Sequence, residues 1–313
     1  MDTENARHTN EHDRGYKKVF AKKENFLHFL KKYIRADWAG EISESDLVPV
    51  NTSFVLKDYA NREADVIYRA RVKGREIIFY VLLELQSSVD HTMPFRLLIY
   101  ITELLRAEFE NAGKEERERA GYRLPAVVPI VLYNGADRWT AVRRFREYLD
   151  GYEMFGGNVI DFEYLLLDLN HSDEGYILNT NRLLDNIFAL DRKDTLQEIA
   201  GVMQVLLKRY IEMETHERVE FEDWVSEILV KRVKSKDSRE SILGALKKGD
   251  AKSMTYGIDR ALEKERLEGE YIKSIKVAEK MLKKGKDIEE IIDISELSEE
   301  KVLEIRNSLS RKT

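Results

Sequence analysis

The chain has 313 residues, 43% of them hydrophobic, and a formal charge of −6. That length buries a sizeable core and leaves room for a second unit. With no cysteine, disulfides and cysteine-ligated zinc are excluded. The acidic balance means that the whole-protein field does not draw nucleic acid, so such a partner needs locally basic surface.

Residues 1–14 read as a polar tail with no secretory signal. No apolar run reaches the roughly 18 residues that a membrane span needs, and the expectation is a soluble cytoplasmic protein. From Gly15 to Arg35 the apolar positions Tyr16, Val19, Phe20, Phe26, Leu27, Leu30, Tyr33 and Ile34 have helical spacing. Short strands are predicted near Thr52–Lys57, Ala64–Val72 and Ile77–Gln86. A helix with Pro94 in its first turn follows and runs to about Phe109. Glu110–Arg123 is charged and reads as exposed. Ala126–Tyr133 is a buried strand ended by the turn pair Asn134-Gly135. Trp139–Leu149 suits a helix and Phe162–Leu169 a strand. The order gives a mixed sheet flanked by helices.

After about Asp173 the strand signals stop. Tyr176–Leu190, Asp194–Glu214 and Phe221–Lys234 look helical, and Met254–Gly285 is one long helical stretch rich in Glu and Lys. Gly285 stops it. Asp287–Asp293 and Ser298–Leu309 read as a terminal helix-turn-helix-like unit, with Ser298 as N-cap. The expected organisation is a tail over 1–14, a sheet-containing core over 15–173, a helical region over 174–250, and the long helix with the terminal unit over 251–313.

The chemistry concentrates at Glu84-Leu85-Gln86, which closes the apolar run Ile77–Leu83. A carboxylate at the end of a buried strand is costly without a compensating partner. Residues two apart in a strand share a face, so Glu84 and Gln86 point the same way. Asp65 opens the neighbouring segment, and a hairpin through Lys73-Gly74-Arg75 brings it beside Glu84. Two carboxylates and an amide oxygen are hard oxygen ligands, the set that suits Mg²⁺. The competing reading is a satisfied polar cluster at a strand end.

Asp65, a hairpin and Glu-x-Gln resemble the variant active site of PD-(D/E)XK nucleases. Glu84-Leu85-Gln86-Ser87-Ser88-Val89-Asp90, then Met93-Pro94-Phe95-Arg96 and Tyr100, resemble the recombination-promoting nuclease (Rpn) family. Tyr16–Phe20 and Pro129–Gly135 are similar to it too, and the resemblance runs from about Asp13 to Leu309. It implies an α/β, PD-(D/E)XK-like mixed-sheet nuclease core followed by an all-helical C-terminal region. It also implies an Mg²⁺-dependent DNA endonuclease linked to recombination, mobile elements or defence. Asp65 and Glu84 are then the metal ligands, and Gln86 stands where the wider superfamily has lysine. Glu24 is the candidate acid from the first helix, with Glu41, Glu44 and Asp46 as rivals. Arg96 and Tyr100 lie four apart on one helix face, and with Lys57 and Arg62 they are candidate DNA contacts. For Arg96 the competing reading is an Arg–carboxylate pair that holds the helix. A catalytically inactive nuclease fold that binds DNA or protein is the alternative function, and a homodimer through the C-terminal helices is a further expectation.

Overall fold

The structure is a computed structural model that describes residues 14–34, 36–50, 66–84, 88–177, 182–193, 195–210, 212–226, 236–246, 248 and 251–310. Two compact units divide the chain. The first takes residues 1–194 and 208–229, the second 195–207 and 230–313. Among the described residues no helix is long and apolar enough to cross a membrane.

The first unit opens with helix α1 over residues 14–20. The expected single helix is broken at Ala21-Lys22 and resumes as α2, Lys23–Phe29, which widens into a π turn over Leu30–Ile34. Tyr68 explains how the break is stabilised. Its hydroxyl donates to the carbonyls of Phe20 and Ala21 at 2.8 and 2.9 Å, replacing helical donors with a tertiary one. Burial of that phenol pushes its pKa up to about 12.

A five-stranded sheet follows, in the order β1-β2-β3-β4-β5. Its strands are β1 Leu47–Val50, β2 Val66–Val72, β3 Arg75–Glu84, β4 Ala126–Tyr133 and β5 Leu165–Asp168. β1, β2 and β3 pair antiparallel, whereas β4 pairs parallel with both β3 and β5. The predicted strand at Thr52–Lys57 falls outside the described residues; β1 lies just before it. Between β3 and β4 runs α3, Met93–Asn111, with the short exposed helix α4, Lys114–Arg117, after it.

Strand alternation gives the sheet two buried faces. On one, Ile67, Ile78, Tyr80, Leu82, Val131 and Tyr133 pack against Met93, Leu97, Tyr100 and Leu104 of α3. On the other, Phe26 stacks on Tyr68 with ring centroids 4.1 Å apart, and Trp38 stacks on Phe79. Burial on both faces is why β3 reads as an unbroken apolar run.

The predicted helix over Trp139–Leu149 is corrected to irregular backbone with one 3₁₀ turn, Phe145–Tyr148. Long-range partners outcompete helical hydrogen bonds here. Trp139 N–H donates to Asp168 Oδ2 at 3.1 Å, Phe145 N–H to Phe162 O at 2.8 Å, and Arg144 bridges to Glu163.

Past β5 come α5, Glu174–Ile177, and α6, Leu183–Asp191; further on are α7, Leu196–Tyr210, and α8, Thr215–Trp224. All nine residues of α6 are buried. α6 and α8 belong to the compact unit of the sheet, which therefore extends beyond residue 173. The second unit contains α9, Lys236–Leu246, a helix not expected from the sequence pattern, and the long α10, Ala251–Lys283. It ends with α11, Ile288–Ser295, and α12, Glu299–Ser310. Ala278, Ile291, Leu297, Val302 and Ile305 form its terminal core. Gly285, at φ +70°, ends α10 in the left-handed region, and Ser298 Oγ accepts the Lys301 N–H at 3.3 Å as the N-cap of α12.

Candidate active site

The hairpin that the candidate site needs is present. Lys73 and Gly74, at φ +50° and +76°, make the two-residue link between Val72 and Arg75, which face each other across the ladder. Positive φ at both central residues matches the twist of the flanking strands, and the glycine supplies one of them without steric cost. The register then runs to Val66 opposite Val81. Asp65 is the residue before Val66, and Glu84 is the last residue of β3, three beyond Val81. Asp65 and Gln86 themselves, with Lys57 and Arg62, lie outside the described residues. Among the described residues no group of three His, Cys, Asp or Glu is placed to hold a metal ion.

Glu84 pairs with Tyr133 in β4, and Tyr133 pairs with Asp168 in β5. These three positions form a row at the carboxyl ends of three parallel strands, the end at which open α/β sheets bind ligands. Tyr133 is fully buried, and its ring stands in T-shaped contact with Trp139 at 4.9 Å between centroids. Gly135 is what lets the ring lie there: a Cβ at that position would sit 2.0 Å from Tyr133 Oη.

Arg96 and Tyr100 are candidate DNA contacts from sequence, with an Arg–carboxylate pair as the competing reading for Arg96. In the structure Tyr100 is 3% exposed and packs on Tyr80, ring centroids 5.3 Å apart. The Arg96 guanidinium donates to Asp90, whose other oxygen accepts the Thr92 N–H at 2.8 Å. Burial works against the charge on Asp90, but the bonds from Thr92 and Arg96 outweigh it and hold the carboxyl below its ordinary 3.8. The Arg–carboxylate anchor weighed from sequence is thus the contact present at the start of α3.

Glu24, the candidate acid, lies on α2 and faces α8. Its Oε1 lies 3.5 Å from His216 Nε2, and His216 Nδ1 lies 3.4 Å from Glu214. Of its rivals, Glu41 pairs with Lys73 at 2.8 Å, and Asp46 accepts from Ser43, which lowers its pKa.

Two buried carboxylates on α6 were not singled out from sequence. Asp185, with no exposed side chain, accepts from His28 Nε2 at 2.9 Å, from Lys32 Nζ at 3.0 Å and from the Tyr33 hydroxyl. Asp191 accepts from Tyr16 Oη at 2.8 Å and from Asn134 Nδ2 at 2.9 Å. These pairs tie the N-terminal helices and the end of β4 to α6. Their partners are 57 to 175 residues away in sequence, beyond the reach of any local pattern.

A mixed α/β unit with a five-stranded sheet, a hairpin between the two candidate acidic positions and a helical C-terminal region is the class of protein that this chain represents. It belongs to the family described as "Putative transposase, YhgA-like", whose model matches residues 10–220. The chain is similar to three proteins of Escherichia coli (strain K12). It is 23% identical over 309 residues to recombination-promoting nuclease RpnA, covering 93% of this chain and 95% of that one. It is 25% identical over 127 residues to recombination-promoting nuclease RpnC, covering 41% of this chain and 40% of the relative. It is 32% identical over 85 residues to inactive recombination-promoting nuclease-like protein RpnE, covering 27% of this chain and 25% of the relative. The matched stretch therefore spans well under two thirds of RpnE and RpnC. No solved structure matches.

Proposed function

We propose that this protein is a metal-dependent DNA endonuclease with a PD-(D/E)XK-like core that acts in recombination, mobile-element or defence processes. The observation that carries the reading is the β2–β3 hairpin. Its register ends one residue after Asp65, and its second strand ends at Glu84. The relatives named as recombination-promoting nucleases point the same way.

The donor set fits a divalent cation such as Mg²⁺: Asp65 and Glu84 would hold it, and the Gln86 amide oxygen would orient a ligand or water. When bound, the ion lowers the pKa of a coordinated water and stabilises charge on the phosphate. In the proposed site, without the ion, the like charges of Asp65 and Glu84 would repel, so the ligands would favour the metal-loaded state. Gln86 brings no charge of its own, unlike an ammonium at that position.

A second reading is a nuclease fold without catalytic activity that binds DNA or a protein. Gln86 and the formal charge of −6 favour it. Nicking of supercoiled plasmid with Mg²⁺ and with EDTA separates the two readings. In the first, Asp65→Ala and Glu84→Ala each lower cleavage by more than about 100-fold, beyond the loss typical of groups that only support metal ligands. Full cleavage by either variant refutes the site. Self-association through the C-terminal helices belongs to the proposal as well. Tyr256, Leu267, Tyr271 and Ile272 of α10 are exposed apolar side chains suited to a second copy. Light scattering on the full chain and on residues 1–250 measures it.

A further inference from the structure

A phosphodiester hydrolysis has a second requirement besides an activated water: the departing oxygen of the strand must receive a proton. Asp65, Glu84 and Gln86 do not supply it, because two ionised carboxylates are acceptors only and an amide is not an acid. In the row described above, Asp168 lies two strands across from Glu84. Neighbouring strands are spaced by about 4.8 Å, so the two backbone positions are roughly 10 Å apart on one edge of the sheet. In the proposed site, a phosphate held at Glu84 would share that sheet edge with a side chain carried at the Asp168 end.

Asp168 holds such a side chain. His171 follows β5 in a turn closed by Ser172, whose Oγ donates to Asp168 O at 2.7 Å. His171 Nδ1 lies 2.8 Å from Asp168 Oδ1, and the Trp139 N–H donates to Oδ2 at 3.1 Å. A carboxylate can only accept, so the hydrogen of this bond sits on Nδ1. Nε2 is then the nitrogen left to face a ligand, and the His171 side chain is 23% exposed while Asp168 is 17% exposed. A carboxylate anchored by a backbone N–H, orienting an open imidazole, is the arrangement that general acid catalysis uses.

We propose that His171 is a catalytic residue of the nuclease, donating the Nε2 proton to the departing strand oxygen, with Asp168 as its positioning residue. The inference rests on the nuclease reading above. Water attacks phosphorus and releases one proton to solvent. The bond from phosphorus to the leaving oxygen breaks, that oxygen keeps the electron pair, and it takes the proton from Nε2. The products are a phosphate monoester and a strand hydroxyl, and neutral His171 is reprotonated from solvent. Asp168 accepts from Nδ1–H and holds that tautomer between turnovers.

The test compares two diesters in Mg²⁺. Plasmid DNA has an alkoxide leaving group that needs a proton. Bis(p-nitrophenyl) phosphate releases p-nitrophenolate, which departs without one. His171→Gln should lower DNA cleavage about 10²- to 10⁴-fold, the range for loss of a general acid, while cleaving the nitrophenyl ester within about threefold of the unaltered protein. Asp168→Asn should show the same selectivity with a smaller loss. In ¹⁵N-histidine spectra it should also weaken the preference of neutral His171 for the Nδ1–H tautomer, a readout independent of turnover. Glu84→Ala is the control and should lose both substrates. If His171→Gln cuts DNA normally, or loses both substrates equally while Glu84→Ala is inactive, the role of His171 is overturned and the metal site stands. If Glu84→Ala cuts both substrates fully, or the unaltered protein cuts neither, the nuclease reading falls and His171 falls with it.

Discussion

Asp185→Asn is the sharpest probe of how the sheet unit is held together. The substitution keeps the shape and removes the charge. The Lys32 ammonium lies 3.0 Å from Asp185 Oδ2, and the two side chains are 8% and 0% exposed. At that distance and an effective dielectric constant near 20, the attraction is about 5–6 kcal/mol. Desolvation has already offset part of it, so breaking the pair from one side should cost about 3–5 kcal/mol, because the lysine charge stays buried. For a unit of this size each kcal/mol moves Tm by about 2–4 °C, which puts the loss near 6–20 °C. Lys32→Met in the same background removes the stranded charge. It should recover at least half of that loss, a coupling energy of about 1.5 kcal/mol or more. Urea unfolding of the parent, both single variants and the double variant measures the cycle. A single-variant loss below 1 kcal/mol, or strict additivity, would show that this pair does not anchor α6. The same contact bears on truncation. A cut near residue 173 removes both Asp185 and Asp191, so a fragment meant to keep the chemical site should end near residue 229, where the compact unit ends.

Gly135→Ala should destabilise the sheet unit by about 1–3 kcal/mol, because its Cβ would meet the buried Tyr133 ring at 2.0 Å. Gly121→Ala, which meets nothing within 4 Å, should stay within about 0.5 kcal/mol, and equal Tm values for the two variants would contradict the packing account. Asp90 has a depressed pKa, so its contribution to stability is present above the ordinary 3.8 and is lost as pH falls through the lower folded-state value. The Tm gap between the parent and Asp90→Asn should therefore be wide at pH 7 and close in acid; a gap that does not change with pH refutes this. Gln86→Lys restores an ammonium at the candidate site and should keep some cleavage in Mg²⁺, whereas Gln86→Ala should lose most of it. Indifference of a plasmid assay to both changes would make Gln86 structural.

Local pattern was enough wherever a residue's partners are close in sequence. The β2–β3 hairpin follows from a turn pair between two apolar runs, α3 from Pro94 and its apolar stripe, and the ends of α10 and α12 from Gly285 and Ser298. The acidic and amide positions Asp65, Glu84 and Gln86 stand out by chemistry alone, since a charged residue at the end of a buried strand demands a reason. Tertiary structure decided the rest. Trp139–Leu149 has helical spacing, yet Asp168 and Phe162 take its backbone donors. Tyr68 ends α1 from a strand 47 residues away. Arg96 has the charge for a phosphate contact and an acid six residues before it that holds it. Asp185 and Asp191 look like ordinary polar positions of a helix until α6 is buried. Each then becomes a carboxylate that folding must pair with donors from distant segments, because an isolated charge in the interior costs more than the fold can supply.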